Sequence, residues 1–516
     1  MQKSALSAAR AGWEVALVGF DGVGGEPRTW LGPVRVIRRG IGREHRDALL
    51  ARTVRVRPPR YPGAYRHSSE RRRASRRLSR RIRREREALS GDRSPIGVLR
   101  RVLLEVRLLG ARLLHKVRAL GAGSHRSIVP PKDPADVAWR EDLPAFLDWR
   151  DAFAPALVEL QPDVIHSNDP AMIGVAYEAV SMLRAQGRRV GWIHDMHEHV
   201  SAVDWGSPLL TAAYVDHERE FISSPDALVT VSPEISEMLT EEYGLNTPPL
   251  VVRNAPIAGV DASSAPSLRE TIELEDGVPL IVSSGSVDPR RGIQTVIEAL
   301  PTLPGVHIAI VTRESPRVHG PLRDLFRLAR RLNVRDRLHV APYVDMFQIP
   351  GYLASADIGV FAGIHYPNYE ASLPTKLTEY LHAGLPLLVS DLATPAAFVN
   401  KHGVGESFVA EDPDDLARAV RTLLGSLERY QQAITAPLLE ELSWQHQARP
   451  LVELYTTVSG ISPPAPVPTP PWEVVEQDEG PVDPWPALKP VHEHRAPTSE
   501  PVQEPQPSLE ALDELR

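Results

Sequence analysis

Two successive sets of short apolar runs, each ending in polar residues and followed by a helix-like segment, constrain this 516-residue chain more than any other feature. The first set is WEVALVGF (13–20), DVIHSND (163–169), VGWIHDMHE (190–198), ALVTVSP (227–233) and LVVRNAP (250–256). Each run is too short for a buried helix, is bounded by turn residues and is rich in Val and Ile. Alternation of such runs with helical segments predicts parallel sheets covered on both faces. The pattern restarts with PLIVSSG (279–285), VHIAIVTR (306–313), RLHVAPYV (337–344), IGVFAG (358–363), PLLVSD (386–391) and GESFVA (405–410). Two doubly wound α/β domains are expected, 1–258 and 276–430, with a polar linker at 259–275 and helices at 431–460 packing back toward the first domain. In such sheets ligands bind beyond the carboxyl ends of the strands, where Asn168, Asp169, His197, Glu198, Asn254 and Ser286 stand.

The chain has no Cys, which removes disulfides, thiolate nucleophiles and Cys-ligated metals from consideration and fits a reducing cytoplasm. No run of roughly 18 apolar residues is present, and the first residues lack the apolar core of a signal peptide, so a cytoplasmic location is expected. The net charge of −7 hides an asymmetry: residues 66–118 hold 18 Arg or Lys against 5 Asp or Glu. Within the Arg-dense insertion at 62–122, Leu99, Val102, Leu103, Val106, Leu109, Leu113 and Val117 recur at helical spacing, with Arg100, Arg101, Arg107, Arg112 and Lys116 largely on the other side. This basic amphipathic helix reads either as a solvated surface hairpin, inflated by codon bias, or as an element that meets an anionic membrane surface and makes the protein peripheral there. Nucleic acid is the weakest partner, because no aromatic residue is interleaved for base stacking between 66 and 118. Residues 461–516 are Pro-rich, acidic and without hydrophobic periodicity, and are expected to be a disordered tail.

The stretch SLPTKLTEYLHAGLP (372–386) concentrates the candidate chemistry. Ser372 suits an N-cap, Pro374 the first turn, and Gly384 a helix end before Pro386. A helix opening there presents backbone N–H groups to a phosphate, with Lys376 adding a full charge. Glu379, one turn further in, can accept hydrogen bonds from adjacent sugar hydroxyls. The alternative is an ordinary surface pair of Lys376 and Glu379 at i, i+3. His166, His194 and Asp195 also stand at strand ends, where a histidine is more often a satisfied structural residue. No cluster has metal-ligand spacing.

YEASLPTKLTEYLHAGLPLLVSD resembles the donor-binding motif of glycosyltransferase family 4, and DVIHSNDP, WIHDMHEHV, ALVTVSPEISEML, VVRNAP, SSGSVDPRRGIQTVIEAL, YLASADIGVFAG and SWQHQARPLVELY follow the family's order. The resemblance covers about 15–460, less the basic insertion, and implies the GT-B architecture of two Rossmann-like domains. It implies a retaining, metal-independent transfer from a nucleotide-diphosphate sugar to a glycan or lipid-linked acceptor, with no cofactor. Glu379 matches the residue that binds the nucleotide ribose, and Arg291 the cation on the donor diphosphate. Gly285, Ser286, Arg290, Val344, Ser372, Leu373, Pro374, Thr375 and Lys376 complete the donor side. His197, Arg291 and Lys376 would be catalytic, and Asn168, Asp169 and His197 would face the acceptor. Ser286 stands where the family has Arg, and Glu370 is one residue off the family's Glu-to-Glu spacing. The N-terminus reads like a first helix and second strand, so the natural protein is expected to begin upstream of Met1. The other reading is a non-catalytic GT-B scaffold in a glycan-assembly complex.

Overall fold

The computed structural model describes residues 1–20, 30–57, 64–65, 74–75, 78, 95–120, 124–127, 132–259, 265–314 and 320–463. The expected disordered tail beyond 463 and most of the basic insertion between 66 and 94 lie outside them. In the first half of the chain the strands are β1 (Ala16–Phe20), β2 (Trp30–Leu31), β3 (Val34–Arg39), β4 (Val54–Arg57), β5 (Ser124–Ser127), β6 (Val164–Asn168), β7 (Gly191–Met196), β8 (Ala227–Thr230) and β9 (Leu250–Val251). The second half contributes β10 (Leu280–Ser284), β11 (His307–Thr312), β12 (Leu338–Pro342), β13 (Ile358–Phe361), β14 (Leu387–Ser390) and β15 (Gly405–Phe408).

The second domain is one parallel sheet in the order β12-β11-β10-β13-β14-β15. Strand alternation divides its core in two. Ile281, Ile308, Ile310, Leu338, Ile358, Val360 and Leu388 pack on one side against the helices Ile293–Ala299, Gly320–Arg331 and Pro413–Leu424. Leu280, Val282, Ala309, Val311, Leu387 and Val389 pack on the other against Ile349–Leu353, Thr375–His382 and Ala393–His402. The chain order reverses between β10 and β13, so the sheet has its topological switch point there.

The first domain departs from the single parallel sheet expected. Its described strands form a sheet β1-β3-β2, with β2 antiparallel, and a separate parallel sheet β6-β7-β8-β9. Side-chain packing, not a hydrogen-bonded ladder, ties the two together. Leu6 and Ala8 of helix Gln2–Arg10, Leu31 and Val34 share one cluster with Ile193, Val229 and Val252. Trp444, Leu451 and Tyr455 of helix Trp444–Ser459 complete that cluster, and Ser443 caps this helix by accepting from the His446 N–H.

A second compact unit, Arg43–Asp148 with Trp205–Ala213, is broader than the insertion read from charge. It contains the antiparallel pair β4–β5 and the helix Pro95–Leu120. Buried Asp148 holds its start, accepting from the His45 N–H at 2.9 Å and from the Arg46 guanidinium at 2.7 Å.

Candidate functional site

The switch point is built by close backbone approach. β10 and β13 pair only at Ile281–Ile358 and Val282–Gly359, and then part toward their carboxyl ends. Tyr380, buried on helix Thr375–His382, fills the opening: its hydroxyl accepts from the Ser284 N–H at 2.8 Å and donates to the Val360 carbonyl at 3.3 Å. Its ring lies on Gly359, where an added Cβ would come within 2.2 Å of the ring. Gly292, at φ +64°, lets the loop after β10 pass so close to β13 that a Cβ would sit 1.6 Å from the Ala362 carbonyl oxygen. That approach fixes Arg290 and Arg291 at the mouth of the opening, with the Ile364 N–H donating to the Arg290 carbonyl.

Helix Thr375–His382 opens toward this point without a side-chain cap, so its first N–H groups remain available to a ligand. Ser372 is not the N-cap expected of it. Its hydroxyl donates to the Asn368 carbonyl at 2.6 Å, closing the preceding short helix Pro367–Glu370, and Pro374 takes the cap position. Lys376 and Glu379 are not a surface pair. Their side chains are only 18% and 12% exposed, and Nζ lies 3.3 Å from both a Glu379 carboxylate oxygen and the Tyr343 hydroxyl. Burial opposes the Lys376 charge, but Glu379 and Tyr343 outweigh it and raise its pKa. Gly285, at φ +123°, faces this lysine: a Cβ there would lie 2.9 Å from Lys376 Cε. Ser284 Oγ is buried beside it without a hydrogen-bond partner among the described residues.

The other expected donor residues separate into groups. Leu373 and Val344 pack on the core beneath the helix, Thr375 starts it, and Ser286 is exposed after β10. Arg291 lies over the rings of Phe361 and Tyr369, at 6.0 and 5.7 Å. Arg290 is engaged elsewhere, 3.3 Å from Asp288 and 3.6 Å from Asp204, over the Tyr366 ring. Glu370 binds His365 and the Ala393 N–H, both at 2.6 Å, and so stabilises the loop instead of reaching the pocket.

In the first domain, His197 is gripped by two carboxylates, with Asp169 Oδ1 2.7 Å from Nε2 and Asp195 Oδ1 3.4 Å from Nδ1. Burial disfavours the imidazolium, but the two carboxylates prevail and hold its pKa well above the usual value. Asp169 adopts φ +73°, a conformation non-glycine residues rarely take, and its Oδ2 and Asn168 Oδ1 are buried without partners among the described residues. His166 and His194 have structural partners, the Tyr455 hydroxyl at 2.7 Å and Ser167 Oγ at 2.8 Å.

Sequence reasoning missed Lys3, Arg313 and Tyr343. Lys3 Nζ donates to Asn254 Oδ1 and the Ala255 carbonyl at 2.5 Å each, and feels the Glu379 carboxylate across the site. Arg313 lies over the Tyr343 ring at 5.0 Å, and Lys376 Nζ lies 5.3 Å from the centre of the same ring. Lys3 sits in no motif and only the fold brings it to the strand ends, whereas Arg313 closes the run VHIAIVTR directly after β11. The two domains also touch directly: the Asp204 N–H donates to the Tyr366 hydroxyl, and Ser232 Oγ to the Ala371 carbonyl at 2.7 Å.

The family model for glycosyl transferases group 1 matches residues 265–436, and that for a glycosyl transferase 4-like domain matches 97–255. A D-inositol 3-phosphate glycosyltransferase of Xylanimonas cellulosilytica is 26% identical over 288 residues, covering 46% of this chain and 67% of that protein. The lipopolysaccharide core biosynthesis glycosyltransferase LpsE of Rhizobium meliloti is 25% identical over 209 residues, covering 40% of this chain and 55% of its own length. Across the curated relatives it matches, the chain spans from 47% to 67% of their length. A sucrose-phosphate synthase from Thermosynechococcus elongatus superposes with a TM-score of 0.50 at 17% identity, over 66% of this chain and 84% of that one, a likeness of fold alone. The paired matches fall on the two halves that the strand pattern separates, and the chain belongs to the group 1 glycosyltransferases of family 4, with the GT-B architecture.

Proposed function

We propose that the protein transfers a sugar, with retention of configuration, from a nucleotide-diphosphate sugar to a glycan or lipid-linked acceptor, using side-chain cations and no metal ion. One observation carries the reading: an enclosed Lys376–Glu379 pair at an uncapped helix start, against Gly285 at the switch point. The diphosphate lies on the helix start between Arg291 and Lys376, the ribose on Glu379, and the base against the turn at 342–344. Negative charge collects on the diphosphate as its bond to the anomeric carbon breaks. A positioned cation in a water-poor site stabilises that charge by about 2.7–4 kcal/mol. Lys3 and Arg313 add positive charge from two further directions.

The acceptor approaches Asn168, Asp169 and His197. With both ring N–H groups turned to Asp169 and Asp195 and its charge held by them, His197 presents a fixed positive charge on the acceptor side and does not act as a base. Asn168 Oδ1 and Asp169 Oδ2, buried and without partners among the described residues, are the unsatisfied acceptor atoms on that side.

A panel of nucleotide-diphosphate sugars, screened for turnover and for the anomeric configuration of the product, tests the proposal. At least one donor should turn over with retention. Glu379→Ala and Arg291→Ala should each reduce the rate by about 100-fold or more while circular dichroism stays unchanged. Near-normal turnover in either folded variant, or inversion at the anomeric carbon, contradicts it.

A further inference from the structure

The helix Pro95–Leu120 turns its apolar residues the wrong way for a soluble surface helix. At about 100° per residue, Leu103, Val106, Leu109, Leu113 and Leu114 form one stripe. These side chains are 60%, 65%, 65%, 62% and 59% exposed. The helix is held from its opposite side: Leu108 is buried, the Tyr65 hydroxyl lies 2.6 Å from His115 Nδ1, and the Arg118 guanidinium covers the Tyr65 ring at 4.5 Å. The stripe is therefore not the face that folding uses. A contiguous apolar band of this kind on an ordered helix marks a surface that something else covers.

The charge around the stripe says what covers it. Arg107 borders one edge and Lys116 the other, and Glu105 is the helix's one acidic residue. The segment 66–118 carries 18 basic against 5 acidic residues. Two copies meeting through this stripe would bring their basic edges together, which disfavours self-association. Single-stranded nucleic acid would find no aromatic stacking platform in 66–118. Among the described residues no helix is long and apolar enough to cross a membrane, so the stripe does not belong to a spanning segment. From these observations we infer that the helix Pro95–Leu120 lies in the interface of an anionic lipid bilayer. Its stripe enters the acyl boundary, while the Arg107 and Lys116 stems lie along it and their charges reach the lipid phosphates. The inference is independent of the donor-site reading.

Flotation of the full chain with vesicles tests it. The protein should float with vesicles containing phosphatidylglycerol, fail to float with pure phosphatidylcholine, and lose binding as salt rises. The double variant Val106→Asp, Leu113→Asp replaces exposed side chains, so far-UV circular dichroism should not change. Its flotation should fall at least tenfold, and Arg107→Glu with Lys116→Glu should weaken binding to the anionic vesicles. Absence of flotation, or binding indifferent to phosphatidylglycerol and salt, overturns the inference. It is equally overturned by an RNA mobility shift without flotation, or by a concentration-dependent dimer that the Val106→Asp, Leu113→Asp pair abolishes.

Discussion

Lys3 shows how far single residues can escape a sequence reading. It sits on the first helix, far in sequence from every motif, yet the fold delivers its ammonium to Asn254 and within electrostatic reach of Glu379. Partial burial lowers its pKa to about 8, with Glu379 opposing the shift. Since the unfolded lysine titrates near 10.5, stability should rise as pH increases from about 8 to about 10.5, where the unfolded chain holds more protons. Donor turnover should move the other way and decline above about pH 8 as the cation is lost. In Lys3→Met that alkaline limb should vanish and the rate at neutral pH should drop, as measured by steady-state pH profiles. An unchanged profile removes Lys3 from the site. Other residues were legible to different degrees. Lys376 and Glu379 could be read because helix geometry fixes their spacing. The roles of Ser372 and Glu370 depended on the Asn368 carbonyl and on His365, partners that no spacing rule specifies.

Among the elements, the helix Thr375–His382 does two things: it starts at the proposed donor site and carries Tyr380 into the gap between β10 and β13. Removing the Tyr380 hydroxyl leaves the buried Ser284 N–H without its acceptor. Tyr380→Phe should therefore cost about 1–3 kcal/mol in urea denaturation, with an unchanged slope. A loss below about 0.5 kcal/mol would show that the gap closes without the hydroxyl. Every apolar run in the two parallel sets became a strand, because buried parallel strands announce themselves as Val- and Ile-rich runs bounded by turns. β2, β3, β4 and β5 were missed because none is an uninterrupted apolar run: VRVIRR and VRVR alternate with Arg, SHRS is polar, and Trp30–Leu31 is a two-residue antiparallel edge.

At the scale of the molecule, the tandem architecture was legible because each domain repeats its own strand–helix alternation. The separation of β1-β3-β2 from β6-β7-β8-β9 was not, since pairing between distant strands leaves no local mark. Contacts between the domains were equally hidden. Arg290, read as a diphosphate ligand, reaches Asp204 of the other domain, while the Asp204 N–H donates to the Tyr366 hydroxyl. A donor cradle at the second domain's switch point makes a claim that does not depend on knowing the acceptor or the sugar. Titration calorimetry with nucleoside diphosphates tests it most directly. The wild-type chain should bind at least one of them without added metal, and Glu379→Ala and Lys376→Ala should each weaken that binding by about tenfold or more, as expected for charge-assisted hydrogen bonds worth about 1.5–3 kcal/mol. No heat with any nucleoside diphosphate, or wild-type affinity in either variant, would contradict the account.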